Sequence, residues 1–289
     1  GRFNLLIDGQ VFAADVQNGG TTGAQLVTAG IHTVAESAGA QTTLDDYQRS
    51  LRCVETGSGS VWTPDATGRV NVDAGDTVVC TFTNIRLGAV TIAKQVTGAA
   101  TAGWNFTGSL GDFTLPAAGG QQSFTRLAPG TYNVAETPVD GWALAALTCV
   151  DPSFDSQTNP ATGVASINLA PGEMVTCTFA NVQQTGSIAV IMQVNGTATA
   201  PWYFTGTLGD FSFAAAGGER AFANLAPGAY TIRELGAENW RVSAITCTDP
   251  DGATTIDLAA ATAVVDLDAR EAVTCTFVNE PGTPAIALA

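Results

Sequence analysis

The 289-residue chain has very few basic residues. Lys94 is its only lysine and His32 its only histidine, and 11 lysines and arginines stand against 26 aspartates and glutamates, for a formal net charge of −15. Nucleic acids and anionic membrane surfaces are bound through clusters of Lys and Arg. The composition therefore argues against both kinds of partner.

Long apolar runs and the motifs of common enzymes are missing as well. No stretch reaches the roughly 18 apolar residues of a membrane-spanning helix, so we expect no membrane insertion. There is no Cys-Xaa-Xaa-Cys, and one histidine cannot complete several zinc sites. No Gly-Xaa-Ser-Xaa-Gly elbow and no P-loop occur. We expect a protein that is not an enzyme and that carries no cofactor and no metal.

What the sequence does contain is internal repetition with a period of 98 residues. The repeated segments are 104–108 and 202–206, 128–132 and 226–230, and 175–181 and 273–279. A diverged third copy comes first, because 79–84 matches 176–181 and 3–5 matches 104–106. That second match lies almost at residue 1, so the first copy is predicted to begin at what is the second strand of the other copies.

Short runs in which apolar residues alternate with small or polar ones, separated by turn residues, indicate an all-β chain. Pro-Gly and Gly-Gly pairs punctuate runs rich in Val and Thr, which is typical of antiparallel Ig-like β-sandwiches. The repeats predict three domains, at 1–86, 87–183 and 184–281, followed by a tail at 282–289.

The six cysteines form one pair in each repeat, at spacings of 27, 28 and 28 residues. The predicted disulfides are Cys53–Cys80, Cys149–Cys177 and Cys247–Cys275. Such bridges persist in oxidising compartments, so the pattern predicts a secreted, extracellular protein. Three pairs of buried free thiols are the alternative.

The order of the motifs resembles the prealbumin-like (Cna B-type, SpaA-like) repeats of bacterial and archaeal surface proteins. The order is an opening Gly-Xaa-Ile/Val strand, Trp-Xaa-Phe-Thr-Gly, Pro-Gly-Xaa-Tyr-Xaa-Xaa-Xaa-Glu, Gly-Trp and Thr-Cys-Thr-Phe-Xaa-Asn. The resemblance covers nearly the whole chain and is weakest in the first copy. It implies tandem prealbumin-like sandwiches in a structural or adhesive module of the cell surface.

The resemblance also implies a candidate isopeptide site. In this family a Lys of the opening strand sometimes joins an Asn of the closing strand with help from a Glu, and the matching residues are Lys94, Asn181 and Glu136. The reaction needs burial, because an apolar site keeps the amine neutral and the carboxyl protonated. The alternative is that Lys94 lies at a strand end and only forms an ion pair with Glu136.

The other two copies lack this lysine. Met192 stands at the matching position of the third copy. The first copy has Glu36 and Asn84, and the tail brings no lysine to them. Neither copy is expected to be cross-linked.

The tail 282–289 resembles the opening segments 88–94 and 186–192 but is followed by no repeat. Its donor-strand residues are Pro284, Ile286 and Leu288. The groove expected to receive such a strand in the first domain is lined by Phe3, Leu5, Ile7, Val79 and Phe82. The sequence thus predicts a homopolymer in which the tail of one chain completes the first domain of the next, by donor-strand complementation.

Two other functions fit the same sequence. The chain could be a monomeric surface stalk or adhesin cut from a longer repeat array, with a ligand on a host or neighbouring cell. It could also be a carbohydrate-binding module, although its tryptophans repeat in register with the strands, which favours packing. These tryptophans are Trp104, Trp142, Trp202 and Trp240. Acidic segments such as 45–46, 73–76 and 249–252 fit solvated turns better than calcium loops. His32 replaces a tyrosine of the later copies and is expected to pack.

Overall fold

The computed structural model of the protein describes residues 1–282, so the predicted donor-strand residues lie outside the described residues; these are Pro284, Ile286 and Leu288. Within 1–282 the regular structure consists of β-strands and one short 3-10 helix, Leu44–Asp46. No helix in this range is long and apolar enough to cross a membrane. The predicted all-β fold class is confirmed.

The first domain has seven strands in two sheets. They are β1 (Phe3–Ile7), β2 (Gln10–Val16), β3 (Gly30–Ala38), β4 (Tyr47–Glu55), β5 (Val61–Trp62), β6 (Arg69–Val72) and β7 (Val78–Arg86). One sheet has the order β2-β1-β3-β6 and the other β5-β4-β7.

The second domain has nine strands. They are β8 (Gly88–Thr97), β9 (Trp104–Gly108), β10 (Phe113–Leu115), β11 (Gly120–Leu127), β12 (Gly130–Glu136), β13 (Trp142–Val150), β14 (Gln157–Asn159), β15 (Val164–Leu169) and β16 (Met174–Gln183). Its sheets have the orders β10-β9-β12-β15-β14 and β11-β8-β16-β13.

The third domain repeats the second strand for strand. Its strands are β17 (Gly186–Val194), β18 (Trp202–Gly206), β19 (Phe211–Phe213), β20 (Gly218–Leu225), β21 (Gly228–Glu234), β22 (Trp240–Thr248), β23 (Thr255–Asp257), β24 (Thr262–Leu267) and β25 (Ala272–Pro281). Its sheets have the orders β19-β18-β21-β24-β23 and β20-β17-β25-β22.

The ladders are antiparallel with one kind of exception, the pairing of the opening strand with the closing strand. β8 runs parallel to β16, with Lys94 opposite Phe179, and β17 runs parallel to β25, with Met192 opposite Phe277. In the first domain β7 pairs with β4 alone, and no strand of the described chain covers its second edge. Among residues 1–282 the first domain therefore has no counterpart of the opening strands β8 and β17.

The first domain, as formed by the described residues, has a small core. In the second domain the inward positions of β8 and β16 alternate with outward ones and join a continuous buried cluster, which includes Val90, Ile92 and Phe179. Among the hydrophobic residues of the first domain only Phe3, Cys53 and Val70 are buried.

An aromatic pair holds the two sheets together in each domain. The ring centroids of Phe3–Tyr47, Trp104–Trp142 and Trp202–Trp240 lie 5.2, 5.1 and 5.2 Å apart in edge-to-face contact. Trp104 and Trp202 are 1% exposed, and each donates its indole N–H to a backbone carbonyl. These two rings are core residues and offer no face on which a sugar could stack.

The three predicted disulfides are confirmed. Each joins directly opposite residues of two neighbouring antiparallel strands, β4 with β7, β13 with β16 and β22 with β25. The S–S distances are 2.03 Å for Cys53–Cys80, 1.98 Å for Cys149–Cys177 and 2.01 Å for Cys247–Cys275.

Candidate cross-link site

Three elements of the second domain bring Lys94, Glu136 and Asn181 together. Lys94 occupies the last buried position of β8, in the same inward row as Val90 and Ile92. Asn181 continues the inward row of β16, and Glu136 ends β12 in the facing sheet. The strand alternation and the parallel ladder thus place an amine and an amide on the same side of one sheet, opposite a carboxyl of the other.

The three side chains form a hydrogen-bonded cluster. Lys94 Nζ lies 3.2 Å from Glu136 Oε1, and Asn181 Nδ2 donates to the same oxygen at 3.0 Å. Lys94 Nζ also donates to the carbonyl of Phe179 at 3.4 Å and lies 4.1 Å from the centre of the Trp104 ring. The carboxylate oxygen is therefore the common partner of the amine and the amide.

Burial sets the protonation of this cluster. Lys94, Glu136 and Asn181 are 4, 5 and 6% exposed. Burial lowers the pKa of Lys94 and raises the pKa of Glu136, and their mutual attraction only partly opposes both shifts. Glu136 Oε2 and Asn181 Oδ1 are buried without a hydrogen-bond partner. A neutral amine beside a protonated carboxyl is consequently an accessible state of the pair.

This arrangement contains every group that amide exchange requires. A neutral Lys94 amine is a nucleophile, Asn181 offers the amide carbon, and a protonated Glu136 can donate to the unpartnered Asn181 Oδ1. Glu136 can then move a proton from the amine to the departing nitrogen, which leaves as ammonia. The structure thus brings the three residues of the predicted triad into contact.

The third domain holds the same site without the amine. Asn279 Nδ2 donates to Glu234 Oε1 at 2.6 Å and lies 3.5 Å from the sulfur of Met192. Burial raises the pKa of Glu234 to about 7, although the hydrogen bond from Asn279 lowers it. Glu234 Oε2 again lacks a partner.

The first domain also keeps the carboxyl and the amide. Asn84 Nδ2 donates to Glu36 Oε2 at 2.5 Å, across the two sheets. Burial raises the pKa of Glu36, while the hydrogen bond from Asn84 opposes the shift. Glu36 Oε1 and Asn84 Oδ1 are enclosed and have no hydrogen-bond partner.

The residues predicted to line the groove of the first domain do not all face it. Phe3 is buried, and Leu5 and Ile7 are half-buried on β1. Phe82 is half-buried in the inward row of β7 together with Asn84, whereas Val79 is 51% exposed and faces the other way. Residues alternate sides along a strand, so Val78 takes the inward position that the sequence analysis gave to Val79. Counting in steps of two from Cys80 along the strand would have identified Val78 as the inward residue.

His32 has a polar role that the sequence analysis missed. Its Nδ1 lies 2.7 Å from Asp8 Oδ2 and its Nε2 lies 2.7 Å from the carbonyl of Thr28, four residues earlier. The hydroxyls of Tyr132 and Tyr230 likewise donate to the carbonyl four residues earlier, at 2.7 and 2.8 Å. The imidazole therefore replaces a tyrosine as a hydrogen-bond donor at the start of the strand, and its position in the repeat was the available signal.

The acidic segments lie in the 3-10 helix (45–46), around a turn (73–76) and in a loop (249–252). Asp249 accepts the backbone N–H of Thr254 at 2.7 Å, and carboxylate oxygens of Asp249, Asp251 and Glu271 lie within 4.8 Å of one another. Asp46 forms an ion pair with Arg126 at 3.6 Å. Clustered acids of this kind define no metal site by themselves.

The fold and the site together define a chain of tandem prealbumin-like domains with a hydrogen-bonded Glu–Asn pair in each, fully buried in the second and third domains and half-buried in the first. One family model, described as a prealbumin-like fold domain, matches residues 90–183 and 188–281, and a second model of the same description matches 9–86. The chain belongs to this prealbumin-like fold domain family, as its motifs suggested. No curated protein matches it.

Several solved structures resemble the chain at low identity. The Bacillus anthracis TIE protein is 13% identical with a TM-score of 0.41, and the match covers 87% of this chain and 54% of that one. The major pilin from Streptococcus pyogenes is 14% identical (TM-score 0.36; 70% of this chain and 100% of the pilin). A C-terminal fragment of the pilus adhesin SpaC from Lactobacillus rhamnosus GG is 16% identical (TM-score 0.40; 70% and 100%). This chain thus spans about half of the TIE protein.

Proposed function

We propose that the protein is a structural subunit of an extracellular, pilus-like filament that polymerises head to tail by donor-strand complementation. The observation that carries the proposal is the uncovered edge of β7, since the equivalent edges of β16 and β25 are each paired with an opening strand. An uncovered edge exposes a row of backbone donors and acceptors and is a template for another strand. Under the proposal, that strand is the tail of a second copy.

The gain from filling the edge is substantial. The ladder between β8 and β16 extends from Ala89 to Thr97, and the tail residues 283–289 would correspond to its positions 89–95. Each backbone hydrogen bond contributes about 0.5–1.5 kcal/mol. Burying Ile286 and Leu288 adds about 1.5–3 kcal/mol for each side chain. These gains oppose the entropy cost of joining two subunits, and under the proposal they hold the subunits together without a covalent bond.

A glycine sets the register of the donated strand. A Cβ at Gly88 would lie 2.6 Å from the carbonyl oxygen of Glu173, and one at Gly186 would lie 2.8 Å from that of Glu271. The first inward position therefore admits only glycine, and the glycine of the tail is Gly282. In this register the apolar tail positions meet the inward row of β7: Pro284 lies opposite Val78, Ile286 opposite Cys80 and Leu288 opposite Phe82.

The second domain is proposed to carry an isopeptide bond between Lys94 and Asn181. The chain enters this domain through β8 and leaves it through β16, and these strands lie side by side in parallel. Tension along a filament would shear this ladder directly. A covalent bond between the two strands transmits the tension past the rest of the domain, which is the property that a fibre subunit needs.

The three disulfides support an oxidising, extracellular location on the cell surface. Copies of the same chain are the proposed partners. A surface ligand on a host or neighbouring cell is compatible with a fibre but is not required for assembly.

Electron microscopy and size-exclusion chromatography of the purified chain test the assembly. We expect fibres from the wild type, and short or monomeric material after deletion of 283–289 or after Ile286→Asp with Leu288→Asp. Ala285→Asp with Ala287→Asp is the matched control, because it adds the same charge on the opposite face of the strand and should leave fibres intact. Fibres that persist in the deletion variant, or a tail cross-linked to its own first domain, would refute strand donation. Monomeric wild type would instead favour a stalk.

A further inference from the structure

Two segments of the chain match the acceptor pattern for N-linked glycans, which is Asn-Xaa-Ser/Thr with any residue except proline in the middle. They are Asn105-Phe106-Thr107 and Asn195-Gly196-Thr197. The pattern by itself does not separate a used acceptor from an unused one. The structure does, because the two asparagines lie in very different settings.

The first of these asparagines is held inside a sheet. Asn105 lies in β9, which pairs with β10 on one side and with β12 on the other. Its Oδ1 accepts the hydroxyl of Thr114 at 2.7 Å, and Asn4, its counterpart in the first domain, likewise donates its side-chain amide to β3. The next residue, Phe106, is 1% exposed in the core. An enzyme could take Asn105 into an active site only by pulling β9 out of the domain.

The second asparagine lies in a turn just beyond the end of a strand. β17 ends at Val194, and Gly196 turns the chain away from the sheet with a φ of +140°. Asn195, Gly196 and Thr197 are all exposed. The Asn195 backbone N–H donates to the carbonyl of Asn279 at 2.8 Å, and neither the Asn195 nor the Thr197 side chain has a hydrogen-bond partner among residues 1–282. Both functional groups of the acceptor are therefore accessible to an enzyme while the domain stays folded.

The second domain has the same turn without the acceptor. One period of 98 residues earlier, the turn reads Thr97-Gly98-Ala99 and is exposed in the same way. The two differences between the copies supply the two groups that the pattern requires, the amide of Asn195 and the hydroxyl of Thr197. Because neither side chain is used by the fold of the third domain, packing gives no reason for this pair of residues.

We propose that Asn195 is an N-glycosylation site, modified outside the cytoplasm by an oligosaccharyltransferase whose donor is a lipid-linked oligosaccharide. In the transfer, Asn195 Nδ2 attacks the anomeric carbon of the first sugar. The new C–N bond forms, the bond from that carbon to the oxygen of the lipid phosphate breaks, and the phosphate leaves with the electron pair. Asn195 Nδ2 gives one proton to a base of the enzyme, and the product is a neutral N-linked amide.

A glycan at this position would cover an apolar surface. A Cβ at Gly196 would lie 3.1 Å from the ring of Trp240, which is half-buried. Only 13% of the residues of the chain are charged, so an uncharged hydrophilic glycan would add hydration that the side chains supply sparingly. The inference shares with the proposed function only the extracellular location.

The test is mass spectrometry of intact glycopeptides from the protein purified from the cells that produce it. We expect a glycan on the peptide that contains Asn195, with fragmentation placing it on that residue, and no modification of Asn105. The same chain from a host without the transferase is the unmodified mass reference. The glycan itself must be detected, because an asparagine that precedes glycine also converts to aspartate spontaneously.

Matched variants separate the acceptor from its surroundings. Thr197→Ala gives the third domain the residue that the second domain has as Ala99 and should abolish the modification, whereas Thr197→Ser should keep it. Thr97→Asn with Ala99→Thr should add a second glycan in the equivalent turn. An unmodified Asn195 in the native protein, a glycan that persists in Thr197→Ala, no glycan at the installed acceptor, or modification of Asn105 would overturn the inference. Fibres are scored by microscopy and the glycan by mass, so strand donation and glycosylation can each fail alone.

Discussion

The isopeptide bond of the second domain is open to a direct test by Lys94→Met. This substitution gives the second domain the residue that the third domain already carries as Met192, so it is tolerated by a close copy of the same site. If the bond forms, the reduced wild-type chain is lighter than its sequence mass by about 17 Da, and the variant is not. Glu136→Gln should remove the loss as well, because it keeps the hydrogen-bond geometry but cannot shuttle a proton.

The size of the stability effect follows from the loop that the bond closes. The linked residues are separated by 181 − 94 = 87 positions. The disulfide Cys149–Cys177 already bypasses part of that loop, which leaves an effective loop of about 60 residues, and the chain-entropy relation assigns it about 4 kcal/mol. For a domain of this size that corresponds to a lowering of Tm by about 15–30 °C in the variant. Differential scanning calorimetry should show this change in one transition and leave the others in place.

The control must exclude another source of the same mass loss. Asparagine followed by glycine, as in Asn195-Gly196, can lose ammonia by cyclising on its own backbone. That loss would remain in Lys94→Met, whereas the isopeptide loss would not. A wild-type chain of unshifted mass after reduction, or an equal loss in wild type and variant with no cross-linked peptide, would show that Lys94 and Glu136 form only a buried ion pair.

The remaining predictions concern the other two domains. Met192→Lys should create a cross-link in the third domain, seen as the same ammonia loss, and Glu234→Gln should prevent it. The pKa of Glu234 is raised to about 7 by burial, so the stability it contributes is complete below its unfolded pKa near 4.5 and is lost as the pH rises through about 7. Relative to Glu234→Gln, whose amide does not titrate, the wild-type third domain should lose about 3 kcal/mol of unfolding free energy between pH 4.5 and pH 8, measured by denaturant titration; a parallel pH profile in both proteins contradicts this. The hydrogen bonds from His32 to Asp8 and Thr28 raise the pKa of His32 above its usual 6.5. The stability that these hydrogen bonds contribute is therefore complete below pH 6.5 and is lost as the pH rises through the raised pKa of His32. Its isolated NMR titration should show the raised pKa, and Asp8→Asn should lower it; an unchanged midpoint in the variant refutes the pairing.

The disulfides, the fold class and the residues of the candidate cross-link site could be predicted from the sequence. The cysteine spacing identified the disulfide partners, because each bridge joins two strands of the same repeat at positions that recur with the repeat. The triad of Lys94, Glu136 and Asn181 came instead from the resemblance to prealbumin-like repeats, and the structure brings its three side chains together. The all-β fold followed from alternation of apolar residues, which is a local property of a strand.

Other features depended on which strands meet, and a local pattern does not carry that information. The alternation of apolar and polar residues looks the same whichever way a strand runs in its sheet. Nothing in the β8 sequence therefore shows that β8 runs parallel to β16. The inward row of β7 was misjudged at Val79, since the consecutive residues Val78 and Val79 place a valine on each face of the strand. His32 looked like a packing residue until the fold brought Asp8 and the carbonyl of Thr28 to its two nitrogens. Residue types and the repeat period are properties of the sequence itself. Hydrogen-bond partners, strand direction and side-chain burial arise only when distant segments of the chain pack together.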